Sequence, residues 1–214
     1  MKAHKFLFII IFVFAYSNFF AQENNSDLIQ RLKEGNSRFA KGEPVHSNQS
    51  IERREELANG QNPFAVILSC SDSRVPPEII FDQGLGDLFV IRTAGEVVDD
   101  FELASIEYAV EHLHVELIVV LGHEKCGAVD AAVKGGELPG HLGKLISEIE
   151  PAVKQAKKQE GDLLTNAVYG NIHRVVRQLK NSEPIIKELV EHNHLQIKGA
   201  YYDLDDGKVN FEKQ

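Results

Sequence analysis

Residues 64–75 read Phe64-Ala65-Val66-Ile67-Leu68-Ser69-Cys70-Ser71-Asp72-Ser73-Arg74-Val75. Five consecutive apolar side chains follow Pro63 and lead straight into Ser69 and Cys70. An unbroken run of this length predicts a strand buried on both faces, as in a parallel sheet, rather than a half-exposed strand with alternating polarity. A second run, Leu117-Ile118-Val119-Val120-Leu121, has the same form and ends at Gly122-His123-Glu124-Lys125-Cys126. A third strand is expected over 87–92, through Leu88, Phe89, Val90 and Ile91. Between them, Leu103, Ile106, Val110 and Leu113 recur at intervals of three and four and predict a helix. Strands alternating with helices predict an α/β fold: a mainly parallel sheet flanked by helices.

The remaining segments extend this pattern in both directions. Ser26 is a candidate cap for a helix carrying Leu28, Leu32 and Phe39 on one face and ending near Gly42-Glu43-Pro44. A short helix fits Ile51 to Leu57, and another runs from Gly127 to Val133 before Gly135-Gly136. Residues 134–162, rich in charge and glycine, read as a loop and an exposed helix. Leu164, Val168, Ile172, Val175 and Leu179 mark a long amphipathic helix, and Pro184 can open the next. Alternation at Leu195, Ile197, Gly199 and Tyr201, a turn at Asp206-Gly207, and Val209 and Phe211 predict a C-terminal β-hairpin.

At 214 residues, 43% apolar and 26% charged, the chain has the size and composition of one globular domain. Residues 1–21 stand apart: Lys2 and Lys5, an apolar run from Phe6 to Tyr16, then Ser17, Asn18 and a cleavage point at Ala21-Gln22. This is the three-part pattern of a secretory signal peptide, so the expected division is 1–21 signal and 22–214 domain. The run is short for a permanent span, and no membrane anchor is expected after cleavage. The expected location is exported, periplasmic in a Gram-negative source and secreted otherwise. The net charge is −9, and −11 once two lysines leave with the signal, which argues against nucleic acid as a partner.

Cys70-Ser71-Asp72-Ser73-Arg74 and His123-Glu124-Lys125-Cys126 each follow a buried strand directly. Ligands collect outside the carboxyl ends of strands in open α/β sheets, so the two segments can converge although 53 residues separate Cys70 from His123. Cys70, His123 and Cys126 make a sound zinc ligand set, and three protein ligands leave the open position of a catalytic site. His112 and His114 precede the strand and read as surface residues. Zinc acidifies water, and Asp72, paired with Arg74 by a fork of hydrogen bonds, is placed to orient the resulting hydroxide. Asp72 could instead bind the zinc itself; both states stay open at this point. So does a disulfide between Cys70 and Cys126, which export would favour, and so does a non-catalytic zinc module.

The pair Cys70-Ser71-Asp72-Ser73-Arg74-Val75 and Gly122-His123-Glu124-Lys125-Cys126-Gly127-Ala128 resembles the β-class carbonic anhydrases, over a stretch from about Ser26 to the C-terminus. The resemblance implies reversible hydration of carbon dioxide to bicarbonate by attack of zinc-bound hydroxide, with one Zn2+ per chain. It implies Cys70, His123 and Cys126 as zinc ligands and Asp72 and Arg74 as the catalytic dyad. Gln61 matches a glutamine that donates to substrate, and Phe89 and Tyr108 match apolar wall residues of a cleft at a dimer interface. The implied assembly is a homodimer or a dimer of dimers, with N-terminal helices packed on the partner subunit. A relative of the same fold hydrolysing carbonyl sulfide or carbon disulfide is the nearest alternative.

The sequence departs from the family pattern at Arg92-Thr93-Ala94-Gly95-Glu96, where members often carry asparagines; Glu96 adds a negative charge near the cleft rim and is expected to face solvent rather than to slow bicarbonate entry. Some members bind an inhibitory bicarbonate beside a Trp at the position of Ile67. This chain has no Trp, so the resemblance does not carry that site over.

Overall fold

The structure is a computed structural model and describes residues 27–212. The signal segment 1–21 and the Ser26 cap lie outside the described residues. Helix α1 covers residues 27–41, followed by α2 (Ile51–Glu56), which runs on into a 3-10 turn at Leu57–Asn59. Then come β1 (Ala65–Cys70), α3 (Pro77–Ile80), β2 (Leu88–Thr93), α4 (Asp100–His112), β3 (Leu117–His123), α5 (Gly127–Lys134), α6 (Leu142–Ala156), α7 (Leu163–Lys180), α8 (Ile185–Glu191), β4 (Gln196–Tyr202) and β5 (Val209–Phe211).

The five strands form one sheet in the order β2-β1-β3-β4-β5. The pairs β1–β2, β1–β3 and β3–β4 are parallel, and β4–β5 is antiparallel. Every residue of β1 and β3 is buried, as unbroken apolar runs require. The chain leaves β1 for β2 on one side and then returns to place β3 on the other. That reversal opens a crevice between the carboxyl ends of β1 and β3, where doubly wound sheets collect ligands.

Three details differ from the sequence reading. β2 starts at Leu88, not Asp87. The Asp87 carboxylate is taken up before the strand by the Gly84 N–H at 2.8 Å, Asn48 at 2.9 Å and Arg31 at 2.9 Å. α6 is not an exposed helix, since Ile146, Ile149, Ala152, Val153 and Ala156 are all buried. Their spacing of three and four gives a core-facing stripe inside a charged segment that also carries Pro151. Glu96 is the third, and it belongs to the site.

Candidate metal centre

Cys70 is the last residue of β1 and His123 the last of β3. Ser69 stands opposite Leu121 in the parallel register, so the two side chains emerge on the same rim of the sheet. A tight turn then brings Cys126 back. Lys125 takes a left-handed backbone (φ 52°), the Glu124 N–H donates to the Tyr202 carbonyl at 2.9 Å, and the Leu204 N–H donates to the Glu124 carboxylate at 3.1 Å. Cys126 sits at the start of α5, its sulfur 4.0 Å from that of Cys70. One ligand atom from each of Cys70, His123 and Cys126 lies within 4.8 Å of the others, and all three residues are buried.

This donor set fits zinc. The His123 Nδ1–H donates to the Glu124 carbonyl at 2.8 Å, which fixes the tautomer and leaves the Nε2 lone pair inward, where it is buried and without a hydrogen-bond partner. Both cysteines are free, and their sulfurs stand far beyond the ~2.05 Å of a disulfide. Two thiolates sharing one zinc at about 2.3 Å each match the observed spacing. Electrostatics agree in direction. The hydrogen bond from Cys126, helped by that of the Gly95 N–H, pulls the Cys70 thiol down to about 4 against the cost of burial. Cys126 is pushed up, first by the Cys70 sulfur beside it and then by burial. Burial lowers His123, but the neighbouring Cys70 sulfur outweighs it and raises the imidazole overall. A metal held here would replace the proton this trio shares.

Asp72 follows Cys70 by two residues, and Arg74 grips it with a fork: Nε to Oδ1 at 2.9 Å and Nη2 to Oδ2 at 2.6 Å, with the Arg74 N–H adding 2.9 Å to Oδ1. The Arg74 fork holds the Asp72 carboxyl well below the usual carboxylate range. Arg74 Nη2 also reaches the Lys125 carbonyl at 3.2 Å, tying the two motif segments together. Asp72 Oδ2 lies 3.8 Å from His123 Nε2, so the carboxylate is engaged by Arg74 at the rim of the ligand trio. Arg92 buttresses the loop from β2, donating to the Cys70 carbonyl at 3.0 Å and the Asp72 carbonyl at 2.5 Å.

The outer residues spread more widely. Phe89 on β2 and Tyr108 on α4 have ring centroids 6.3 Å apart, and Tyr108 is 48% exposed. Gln61 lies in the exposed loop before β1. Glu96 overturns the expectation that it faces solvent, being fully buried. Gly95 (φ 67°) and Glu96 (φ 40°) both take left-handed backbone, and this turns the Glu96 side chain inward beneath α7. There Asn171 Nδ2 donates to Glu96 Oε1 at 2.9 Å. Burial pushes the Glu96 carboxyl up to about 7. The sequence reading missed Asn171 altogether. Its position on α7, one before Ile172, puts it beside the buried stripe and was the only available signal.

Comparison with known proteins supplies the family. The family model described as carbonic anhydrase matches residues 65–209. Carbonic anhydrase 2 of Mycobacterium tuberculosis is 47% identical over 182 residues, covering 83% of this chain and 88% of the relative. A carbonic anhydrase of Mycolicibacterium smegmatis is 44% identical over the same shares. Among solved structures, the β-carbonic anhydrase CcaA superposes with a TM-score of 0.69 at 31% identity, covering 86% of this chain and 95% of that one. One of two tetrameric β-carbonic anhydrases of Sordaria macrospora also gives 0.69, at 28% identity, covering 75% of this chain and 86% of that one. The chain belongs to the β-carbonic anhydrase family of enzymes.

Proposed function

We propose that the chain hydrates carbon dioxide reversibly to bicarbonate and a proton, with one zinc ion held by Cys70, His123 and Cys126. The observation that carries this reading is the convergence of those three donors within 4.8 Å, beside an Asp72 already clamped by Arg74. Bound there, zinc supplies the Lewis acidity that makes water nucleophilic near neutral pH. The protein's own groups do the rest. Ionised Asp72 accepts a hydrogen bond from the reacting water and aims its lone pair. Arg74 keeps that carboxylate ionised and turned to the rim. Phe89 and Tyr108 offer an apolar wall for a substrate with little to hydrogen-bond, and Gln61 donates to its oxygen. One water and one carbon dioxide give one bicarbonate, and the proton passes to solvent or buffer.

Two further parts of the reading concern the setting. Val45, Ile51, Ile79, Leu85, Phe101, Tyr108 and Leu142 are large apolar side chains at the surface, which supports burial against a second copy of the chain. Residues 1–21 have the composition of an export signal, which supports a mature chain that begins at Gln22 outside the cytoplasm. The test is stopped-flow carbon dioxide hydration by the chain from Gln22, with zinc measured on the same sample. Fast hydration with about one zinc per chain is the expected result. Full zinc without hydration at any pH, together with turnover of carbonyl sulfide, would overturn it.

A further inference from the structure

The turn that carries Glu96 does more than fill space behind the ligand trio. The Gly95 N–H donates to the Cys70 sulfur at 3.2 Å. Holding that N–H on target requires two successive left-handed residues, Gly95 and Glu96, and the second is not glycine. A non-glycine residue persists in that conformation only where its surroundings over-determine it. Here they do. Asn171 Nδ2 donates both to the Gly95 carbonyl at 2.8 Å and to Glu96 Oε1 at 2.9 Å. The Asn171 amide is itself oriented, because Arg174 Nε donates to its Oδ1 at 3.4 Å. Arg174 is steadied in turn by Glu148 at 3.4 Å and Gln178 at 3.2 Å. On the near side, the Thr93 hydroxyl closes the turn onto the Val97 carbonyl at 2.6 Å. A chain of oriented polar groups thus runs from the surface of α6 and α7 to a ligand sulfur.

We infer that Asn171 and Glu96 are positioning residues for the metal centre, clamping the Gly95–Glu96 turn so that the Gly95 N–H is aimed at the Cys70 sulfur. The inference rests on the reading of Cys70 as a zinc ligand. Its physical content is that an N–H pointed at a ligating thiolate draws charge from the sulfur and fixes its direction, leaving the metal a stronger Lewis acid and the ligand better placed. Glu96 acts by geometry: its Oε1 is a hydrogen-bond acceptor that a glutamine can replace.

The experiment loads the full mature chain and its Asn171→Ala, Glu96→Ala and Glu96→Gln variants with cobalt(II), and reads the sulfur-to-cobalt charge-transfer band. Zinc retention against a chelator is measured in parallel. Loss of the N–H···S contact moves the band to lower energy, and zinc retention falls on the order of 10-fold. Asn171→Ala and Glu96→Ala are expected to show both changes, and Glu96→Gln neither. A role in folding alone would lower the melting temperature of the metal-free and loaded forms equally and leave the band in place, which overturns the inference. A Glu96→Gln variant displaced as far as Glu96→Ala overturns it too, since charge and not geometry would then be the agent. If Asn171→Ala does not fold, the two Glu96 variants decide by the same criteria. A parent protein with no charge-transfer band would overturn the zinc reading itself, whereas a parent band that the variants leave unmoved overturns the positioning role alone.

Discussion

Asp72 accepts three hydrogen bonds from Arg74, two from its guanidinium and one from its backbone N–H. A carboxylate so gripped stays ionised far into the acid range, and its contribution to folding has a definite sign. Its folded pKa lies below the unfolded one, so the stabilisation is present above about 3.9 and is lost as the pH falls from there toward the depressed folded value. Asp72→Asn keeps the shape but loses the charge and one of the two acceptor oxygens; turnover should fall by at least ~10-fold with zinc content unchanged, checked by stopped flow and metal analysis on one sample. Full turnover in Asp72→Asn at neutral pH would remove Asp72 from the reaction. Glu96 has the opposite sign. Burial raises its folded pKa to about 7, so the folded state holds a proton that the unfolded state releases near 4.5. Stability from this group therefore declines as pH rises through that window, by up to about 3 kcal/mol. Glu96→Gln should flatten the dependence of melting temperature on pH between roughly 5 and 8, a comparison thermal melts can make directly. The residues of the candidate metal centre were legible in the chain because the motifs Cys70–Arg74 and His123–Cys126 are local. Glu96 and Asn171 were not. Their pairing spans 75 residues, and a Glu two residues after Ala94 carries no local mark of burial.

At the scale of elements, the centre depends on how closely α7 approaches β3. A Cβ added at Gly122 would meet Ile172 Cγ1 at 2.6 Å and Glu96 Oε1 at 3.2 Å. Gly122→Ala should destabilise the fold by about 1–3 kcal/mol through overpacking, seen as a lower urea midpoint at unchanged slope. Adding Ile172→Val should recover part of that loss; no recovery would mean that the strain lies elsewhere. The buried strands were readable because β1 and β3 are apolar without a break. α6 was misread for the opposite reason. Ile146, Ile149 and Val153 are diluted by Lys144, Glu148, Glu150 and Lys154, and its burial comes from packing on α5 and α7, which no local window contains.

For the whole molecule, the apolar side chains left at the surface predict self-association. Phe101 is 86% exposed in the first turn of α4, and Tyr108 on the same helix touches the Phe89 ring. Sedimentation should show a dimer or larger, and Phe101→Asp should weaken the association by ~10-fold or more if this face is the interface. A parent chain that sediments as a monomer at micromolar concentration would remove the partner subunit from the reading. The metal's hold on the molecule has its own readout: with zinc bound, both thiols should resist a thiol reagent, and chelation should expose two per chain. The sheet order was beyond reach of the sequence, because nothing in β2 says on which side of β1 it will lie.

That order governs when the centre can exist at all. Its donors come from the ends of two strands and the turn after the second, and these strands meet only after the β2 and α4 crossover has closed, with the register Val66 to Ile118 already in place. A chain emerging from synthesis holds one thiol and no partner from Cys70 until His123 and Cys126 appear. Metal capture would therefore come late in folding, conditional on a long-range parallel pairing of the slow kind. An ion seated there would act as a latch rather than a nucleus: it could not start the fold, but it would tie the β1 and β3 ends together and slow their opening.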